Sequence, residues 1–297
     1  MVGWLLVCFS LAIMSDLILF WHRRDLRFND NIGLFQAHQK SAQVLGVFCF
    51  DPRLLQTDQV APARIKYLLG CLEELQGNYR RVGSDLLILN ADPIAAIPDL
   101  AHSLNATGVF WNQDIEPYSR ERDRAVQSAL EAKGITVQTF WDQLLHAPGD
   151  ILTKSDKPYK VYTPFWENWQ KQDKATPTGE IKSLNGLTPE QTEKAEEFGV
   201  ISLPTLPDLG FTWENELPLT PGESAARERL EEFCDRALFE YDQNRNYPAI
   251  NGTSVLSAAL KFGAIGVREV WEATNQAWEN AHSNEARDNI NAWRQEL

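Results

Sequence analysis

FWHRRDLRFNDN, residues 20–31, is the stretch on which the reading of the chain turns. The apolar run that begins at Leu17 stops at Trp21. His22, Arg23, Arg24 and Arg27 follow, with Asp25, Asp30 and Asn31 among them. An apolar run of five that ends in polar residues before a new helical pattern at Ile32 is the sequence of a buried strand running into a βα turn. The chain as a whole carries a formal net charge of −13, yet its densest cationic cluster lies here. Guanidinium groups form planar forks that suit carboxylates as well as phosphates. Two readings therefore stand: an internal network pairing Arg24 or Arg27 with Asp25 or Asp30, or an anion site at a strand end.

Outward from this turn, short apolar runs alternate with helical patterns. Strands are predicted over 17–21, 44–50, 85–89, 108–111 and 136–140, and helices over 32–39, 64–81, 94–104 and 119–133. Such alternation gives βαβ units with right-handed crossovers and a parallel sheet covered on both faces. The expected fold class is α/β: a Rossmann-like, doubly wound parallel sheet. Ligands of such sheets bind beyond the carboxyl ends of the strands, at the switch point. Residues 147–220 carry PGD, TPTG, LTPE, LPTLPD and LPLTPG with little periodicity and read as a long connector. Within it YKVYTPFWENW, residues 159–169, is aromatic enough to pack on something. Helical spacing returns from Glu223, breaks at NYPAINGTS, and resumes twice before the sequence ends inside an amphipathic pattern.

Composition bounds the rest. At 43% hydrophobic and 23% charged, the 297 residues suffice for a buried core. The acidic balance argues against non-specific coating of nucleic acid but leaves room for a local basic groove. Cys8, Cys49, Cys71 and Cys234 show no metal-ligand spacing, which predicts reduced cysteines in a cytoplasmic protein. Residues 1–14 are apolar but lack a secretory pattern and are too short to span a membrane. They are expected to be an extension ahead of the domain that opens near Met14. GxGxxG, GxxxxGK[ST], HExxH and GxSxG do not occur, and the five histidines form no ligand cluster.

Two further constellations carry chemistry. In DIEPYSRERDR, residues 114–124, Asp114 and Glu116 precede a helix bearing Arg120 and Arg122. This is a solvated helix face or the polar rim of a flat ligand. In GTSVLSAALKFG, residues 252–263, Gly-Thr-Ser opens a helix and supplies either plain N-capping or hydroxyls and N–H groups for an anion. Tyr241 upstream could stack on the same ligand.

Taken together, LFWHRRDLRFNDN, YKVYTPFWENW and YDQNRNYPAINGTSVLSAALKFG resemble, in order and at family-like distances, the motifs of the photolyase/cryptochrome family, over nearly all of residues 15–297. The likeness is greatest to cyanobacterial class I cyclobutane pyrimidine dimer photolyases with a deazaflavin antenna. It implies an antenna-binding α/β domain over 15–146, an interdomain connector over 147–220 and the start of an all-α FAD-binding domain over 221–297. It implies that the arginine cluster is mainly architectural, locking the turn and the domain interface. It implies an 8-hydroxy-deazaflavin antenna, or alternatively methenyltetrahydrofolate, at Phe48, Cys49, Phe50, Arg64, Asp114, Glu116, Arg122 and Lys261. FAD would lie against Tyr241, Thr253, Ser254, Val255, Leu256 and Ser257. Arg245 would contact DNA phosphate, in a basic groove on the helical domain. Glu296 would sit beside the pyrimidine dimer as the catalytic acid. The implied activity is light-driven electron transfer from reduced FAD to a flipped-out dimer, in a monomer with damaged DNA as partner and no metal or membrane.

The chain departs from the family pattern in two ways. Ala258 stands where the family usually has proline, and family chains continue well past the glutamate matched by Glu296. The sequence thus reads as a truncated form, inactive alone or reliant on a separate C-terminal polypeptide, with exposed apolar surface over 223–297. A cryptochrome-type photoreceptor and an antenna-binding fragment are the alternative functions.

Overall fold

The computed structural model describes residues 16–55 and 60–297; the expected apolar extension over 1–14 and Cys8 lie outside them. Five strands, β1 (Ile18–His22), β2 (Val44–Phe50), β3 (Leu86–Asn90), β4 (Gly108–Asn112) and β5 (Thr136–Phe140), form one parallel sheet in the order β3-β2-β1-β4-β5. The chain winds outward from β1 through β2 to β3, then returns to β4 on the other side of β1. The switch point therefore lies between the carboxyl ends of β1 and β4; β1 pairs on both sides, with Ile18 at its amino end in register with both Val44 and Gly108.

The continuous apolar runs are explained by two cores. Ile18 and Phe20 of β1 face one core with α1 (Ile32–Lys40) and α3 (Pro62–Arg81). Leu19 and Trp21 face the other, with α4 (Pro93–Ser103) and α5 (Pro117–Ala132). Helix α1 lies so close to the sheet that a Cβ on Gly33 would stand 2.6 Å from Asn112 Oδ1. The first core continues without a break into the later helices. Leu230 and Phe233 of α8 (Glu223–Asp235), Val270 of α11 (Val267–Asn280), and Ile290 and Trp293 of α12 (Asn284–Arg294) belong to it.

The predicted strands are present, with β1, β3 and β4 reaching one residue farther than expected. Helices α3, α4 and α5 begin at Pro62, Pro93 and Pro117, ahead of the predicted starts. A proline at the first helical position has no N–H to lose and a preset φ, so it belongs inside the helix. A larger correction concerns residues 147–220, which are not merely loop. They contain α6 (Tyr162–Lys171) and α7 (Pro189–Phe198), besides a four-residue α2 (Pro52–Leu55) earlier in the chain. Thr188 and Gln191 form a reciprocal capping box, and Gly199 closes α7 at φ 98°. The aromatic stretch does pack: Trp166 and Trp169 stack at 5.1 Å, and Trp169 meets Trp271 edge-on at 5.1 Å. Val161 and Tyr162 at its start stay exposed at 63% and 54%. The two remaining helices, α9 (Tyr241–Asn244) and α10 (Ser257–Phe262), are short.

Candidate functional site

The turn after β1 directs each of its arginines to a different element. Arg23 pairs with Asp123 of α5 at 3.0 Å and donates to the Asn112 carbonyl. Its guanidinium lies 4.6 Å from the Trp21 ring centroid. Arg24 crosses the strand ends to Asp114 at 2.8 Å and Glu116 at 3.1 Å. Arg27 turns toward the helical part, donating to Asp142 Oδ2 at 2.6 Å, the Asp30 carbonyl at 3.1 Å and the Gly263 carbonyl at 3.3 Å. The expected pairing of Arg24 or Arg27 with the Asp25 or Asp30 carboxylate is thus corrected, because these neighbours have other partners. Asp25 accepts from the Arg23 N–H at 2.8 Å and from Asn112 Nδ2 at 2.7 Å. Burial alone would raise its pKa, but His22 and Arg23 outweigh that and hold it well below the usual carboxylate range.

Asp30 is taken by Arg268 of α11, a residue that no sequence motif pointed to. Arg268 donates to Asp30 Oδ1 and to the Asp30 carbonyl at 2.7 Å each, to Asp142 Oδ1 at 2.7 Å and to the Asp142 carbonyl at 3.1 Å. Arg27, Asp30, Asp142 and Arg268 are each at most 2% exposed. Two cations and two anions close a neutral clamp between the sheet and the helices. Beside it, buried Glu223 at the start of α8 accepts from the N–H groups of Phe28 and Asn29 at 2.8 and 3.2 Å. The arginine cluster is architectural.

At the carboxyl ends of the strands, Asp114 and Glu116 are joined through Arg24. Lys261 of α10 reaches Glu116 at 3.7 Å from the helical side. Four charged groups from both parts of the chain therefore meet at the switch point. Nearby in the sequence of β2, Phe48 and Phe50 pack edge to face at 5.0 Å in one core, while Cys49 faces the other. The Cys49 thiol donates to the Ala91 carbonyl at 3.2 Å, and burial pushes its pKa up to about 12, so it is not a nucleophile. Arg122 is buried, lies 4.9 Å from the Trp21 ring centroid and pairs with Asp123 at 2.9 Å. Arg64 is exposed at the start of α3 and makes no ion pair among the described residues. The predicted antenna residues thus divide: Asp114, Glu116 and Lys261 converge, Cys49 and Arg122 lie beneath, and Arg64 stands apart from the ionic circuit.

The residues predicted to cradle FAD sit differently from the expected N-cap. Helix α10 begins only at Ser257, and its N-cap is Leu256, with no side-chain cap. Val255 adopts φ 57°, so residues 253–255 form a turn ahead of the helix. Arg229 of α8 holds this turn, donating to the Ser254 carbonyl at 2.9 Å and the Thr253 carbonyl at 2.7 Å. With the carbonyls so occupied, the Thr253 and Ser257 hydroxyls stay exposed and make no hydrogen bond among the described residues. The turn thus offers two free hydroxyls, whereas Tyr241 is buried against Phe233, with ring centroids 6.1 Å apart. Arg245 and Glu296, predicted for DNA and dimer contact, meet each other at 2.7 Å. Their shallow cavity, about 350 Å³, also holds Asp242 and Asp288. Three carboxylates to one guanidinium make this cavity acidic.

Among the described residues no His, Cys, Asp and Glu cluster could hold a metal, and no helix is long and apolar enough to cross a membrane. The sequence pattern of DNA photolyase matches residues 18–182. A deoxyribodipyrimidine photo-lyase of Synechococcus sp. (strain PCC 6301) is 54% identical over 96% of the chain and 59% of its own length. An uncharacterized 31.6 kDa protein of Synechococcus sp. (strain PCC 6716) is 50% identical over 94% of the chain and 96% of its own. Among solved structures, a bacterial class III photolyase from Agrobacterium tumefaciens superposes with a TM-score of 0.82 at 28% identity, over 97% of this chain and 59% of that one.

Proposed function

The chain belongs to the DNA photolyase family, and from that premise we propose that it is the light-harvesting and part of the flavin-binding portion of a deoxyribodipyrimidine photolyase. It spans 59% of the length of the Synechococcus photo-lyase, so complete repair activity is assigned to the chain together with the further segment that this relative contains. The single observation carrying this reading is the circuit Arg24–Asp114–Glu116–Lys261 at the switch point. Ligands of doubly wound sheets bind there, and a polar rim contributed by both parts of the chain suits a flat chromophore seated between them. In this reading Asp114, Glu116 and Lys261 hold the antenna's polar edge, Phe48, Cys49, Phe50 and Arg122 underlie it, and Arg64 closes over it. An 8-hydroxy-deazaflavin is favoured over methenyltetrahydrofolate because the rim combines acceptors and a cation on one flat aperture.

The Thr253–Ser257 turn would receive the pyrophosphate of FAD, with Tyr241, Val255 and Leu256 behind it. When bound, FAD supplies the light-driven electron to the lesion. The chain's own residues position it and, through Arg245 and Glu296, face the damaged DNA. That requires the Arg245–Glu296 pair to open, freeing the guanidinium for phosphate and the carboxyl group for the dimer.

The test is purification from a deazaflavin-producing host, followed by denaturation and identification of what is released. Deazaflavin at near one equivalent, lost in an Asp114→Ala/Glu116→Ala variant, is the expected result. A colourless chain from both deazaflavin- and folate-producing hosts would overturn the antenna assignment. Light-dependent dimer repair after addition of the C-terminal segment of the Synechococcus relative then tests the whole reading.

A further inference from the structure

A second cavity opens on the other flank of the switch point, at the carboxyl ends of β4 and β5, with a volume of about 430 Å³. One wall is α5, where Arg120, Arg124 and Gln127 recur at helical spacing and so share a face. The opposite wall is Thr139 and Trp141 from the end of β5 and just beyond, and the floor is buried Trp111. The two carboxylates at the margin are already neutralised: Asp114 by Arg24, and Asp123 by Arg23 and Arg122. Arg120 and Arg124 have no ion pair among the described residues. On a chain of formal net charge −13, two unpaired guanidinium groups beside an aromatic wall form a local site for an anion with a flat ring. The amides add a hydrogen-bonding edge. Gln113 Nε2 donates to Thr139 Oγ1 at 3.1 Å and Gln127 Nε2 to Glu131 at 2.8 Å, which leaves both amide carbonyls as acceptors. Such acceptors match an exocyclic amino group.

We propose that this cavity is a separate binding site for an adenine mononucleotide, with the base against Trp141 and the phosphate between Arg120 and Arg124. Its volume lies in the range of small-ligand pockets and matches one nucleotide, not a polymer. The cavity adjoins the antenna circuit at Asp114, but the residues that would hold the nucleotide, Arg120, Arg124, Thr139 and Trp141, are not part of that circuit.

The full chain titrated with AMP, followed by tryptophan fluorescence and calorimetry, tests this. One saturable site is expected, with quenching lost in Trp141→Ala. Affinity should weaken about tenfold in Arg120→Gln/Arg124→Gln through loss of two solvent-exposed charge contacts. Both arginines are exposed, so that variant retains the fold, and its circular dichroism should equal that of the parent. Four results would overturn the proposal: no AMP binding at millimolar concentration; binding that the double variant leaves unchanged, which would place the nucleotide elsewhere; inorganic phosphate binding as tightly as AMP, which would remove the base from the site; or a ten-nucleotide single strand binding through Arg120 and Arg124 where AMP does not.

Discussion

Replacing Arg268 should uncouple the helical part from the sheet. Arg268 is 2% exposed and directs four hydrogen bonds of 2.7–3.1 Å at Asp30 and Asp142, which are themselves buried. Arg268→Met keeps the apolar stem and removes the fork. The two carboxylates then share only Arg27, which reaches Asp142 by side chain and Asp30 only by its carbonyl. Removing one partner of a buried ion pair costs about 3–5 kcal/mol, because an uncompensated charge stays behind. Retention of Arg27 places the loss near the lower end, about 3 kcal/mol. With a urea dependence of roughly 3 kcal/mol per molar, the unfolding midpoint should fall by about 1 M, read by tryptophan fluorescence. The exposed Glu228→Ala serves as a surface control and should stay within about 0.5 kcal/mol. Limited proteolysis should show cleavage appearing after residue 220 while the sheet remains protected. A loss below about 1 kcal/mol in Arg268→Met would refute the clamp, since it would mean that solvent reaches and screens these groups.

Further consequences follow from particular residues. The Asp25 carboxyl is held below its ordinary value of 3.8, so its contribution is present above about pH 4 and fades as pH falls below it. Asp25→Asn should be less stable at pH 7 by on the order of 3 kcal/mol, and its stability should depend less on acid, as measured by urea midpoints between pH 3 and 7. The Cys49, Cys71 and Cys234 thiols are each pushed up to about 12 by burial. At pH 8 all three should resist alkylation in the native chain and react after unfolding, as peptide mass spectrometry would show. Arg229→Ala frees the carbonyls of Thr253 and Ser254 and should cost about 1–3 kcal/mol, with new proteolysis within residues 250–256. Thr188→Ala removes half of a capping box and should cost about 1 kcal/mol, without affecting the sheet.

The sheet was legible because each strand is a short, unbroken apolar run, and only burial on both faces makes such runs stable in water. The helices of the connector were missed although one of them announced itself. Thr188-Pro-Glu-Gln191 is a capping box with proline at the first helical position, but the surrounding Pro and Gly residues argued more loudly for loop. The arginine partners were misread for a different reason. Asp25 and Asp30 are near in sequence, whereas Asp142 and Arg268 are brought to Arg27 only by the fold, across 115 and 241 residues. No local pattern encodes a contact of that span. The Gly-Thr-Ser turn was found as a feature but misplaced by a few residues. The left-handed Val255 is a conformation that β-branched residues rarely signal in advance.

The three arginines of the opening stretch also explain why an acidic chain concentrates positive charge where it does. Apolar contact between the sheet and the helices already exists through the shared core, and such contact is non-directional. A planar guanidinium is directional: it fixes both the distance and the plane of its partner. Arg23 fixes α5, Arg24 fixes the acidic rim at the switch point, and Arg27 with Arg268 fixes the helices. All three start from one five-residue segment rigidly attached to the central strand. Whatever binds at the rim is therefore held in a set orientation to whatever binds at the Thr253–Ser257 turn. Energy passing between two flat chromophores depends on just that distance and orientation. The charge serves geometry inside the protein, which is why each arginine of the cluster is paired with carboxylates of the chain and not displayed to a polyanion.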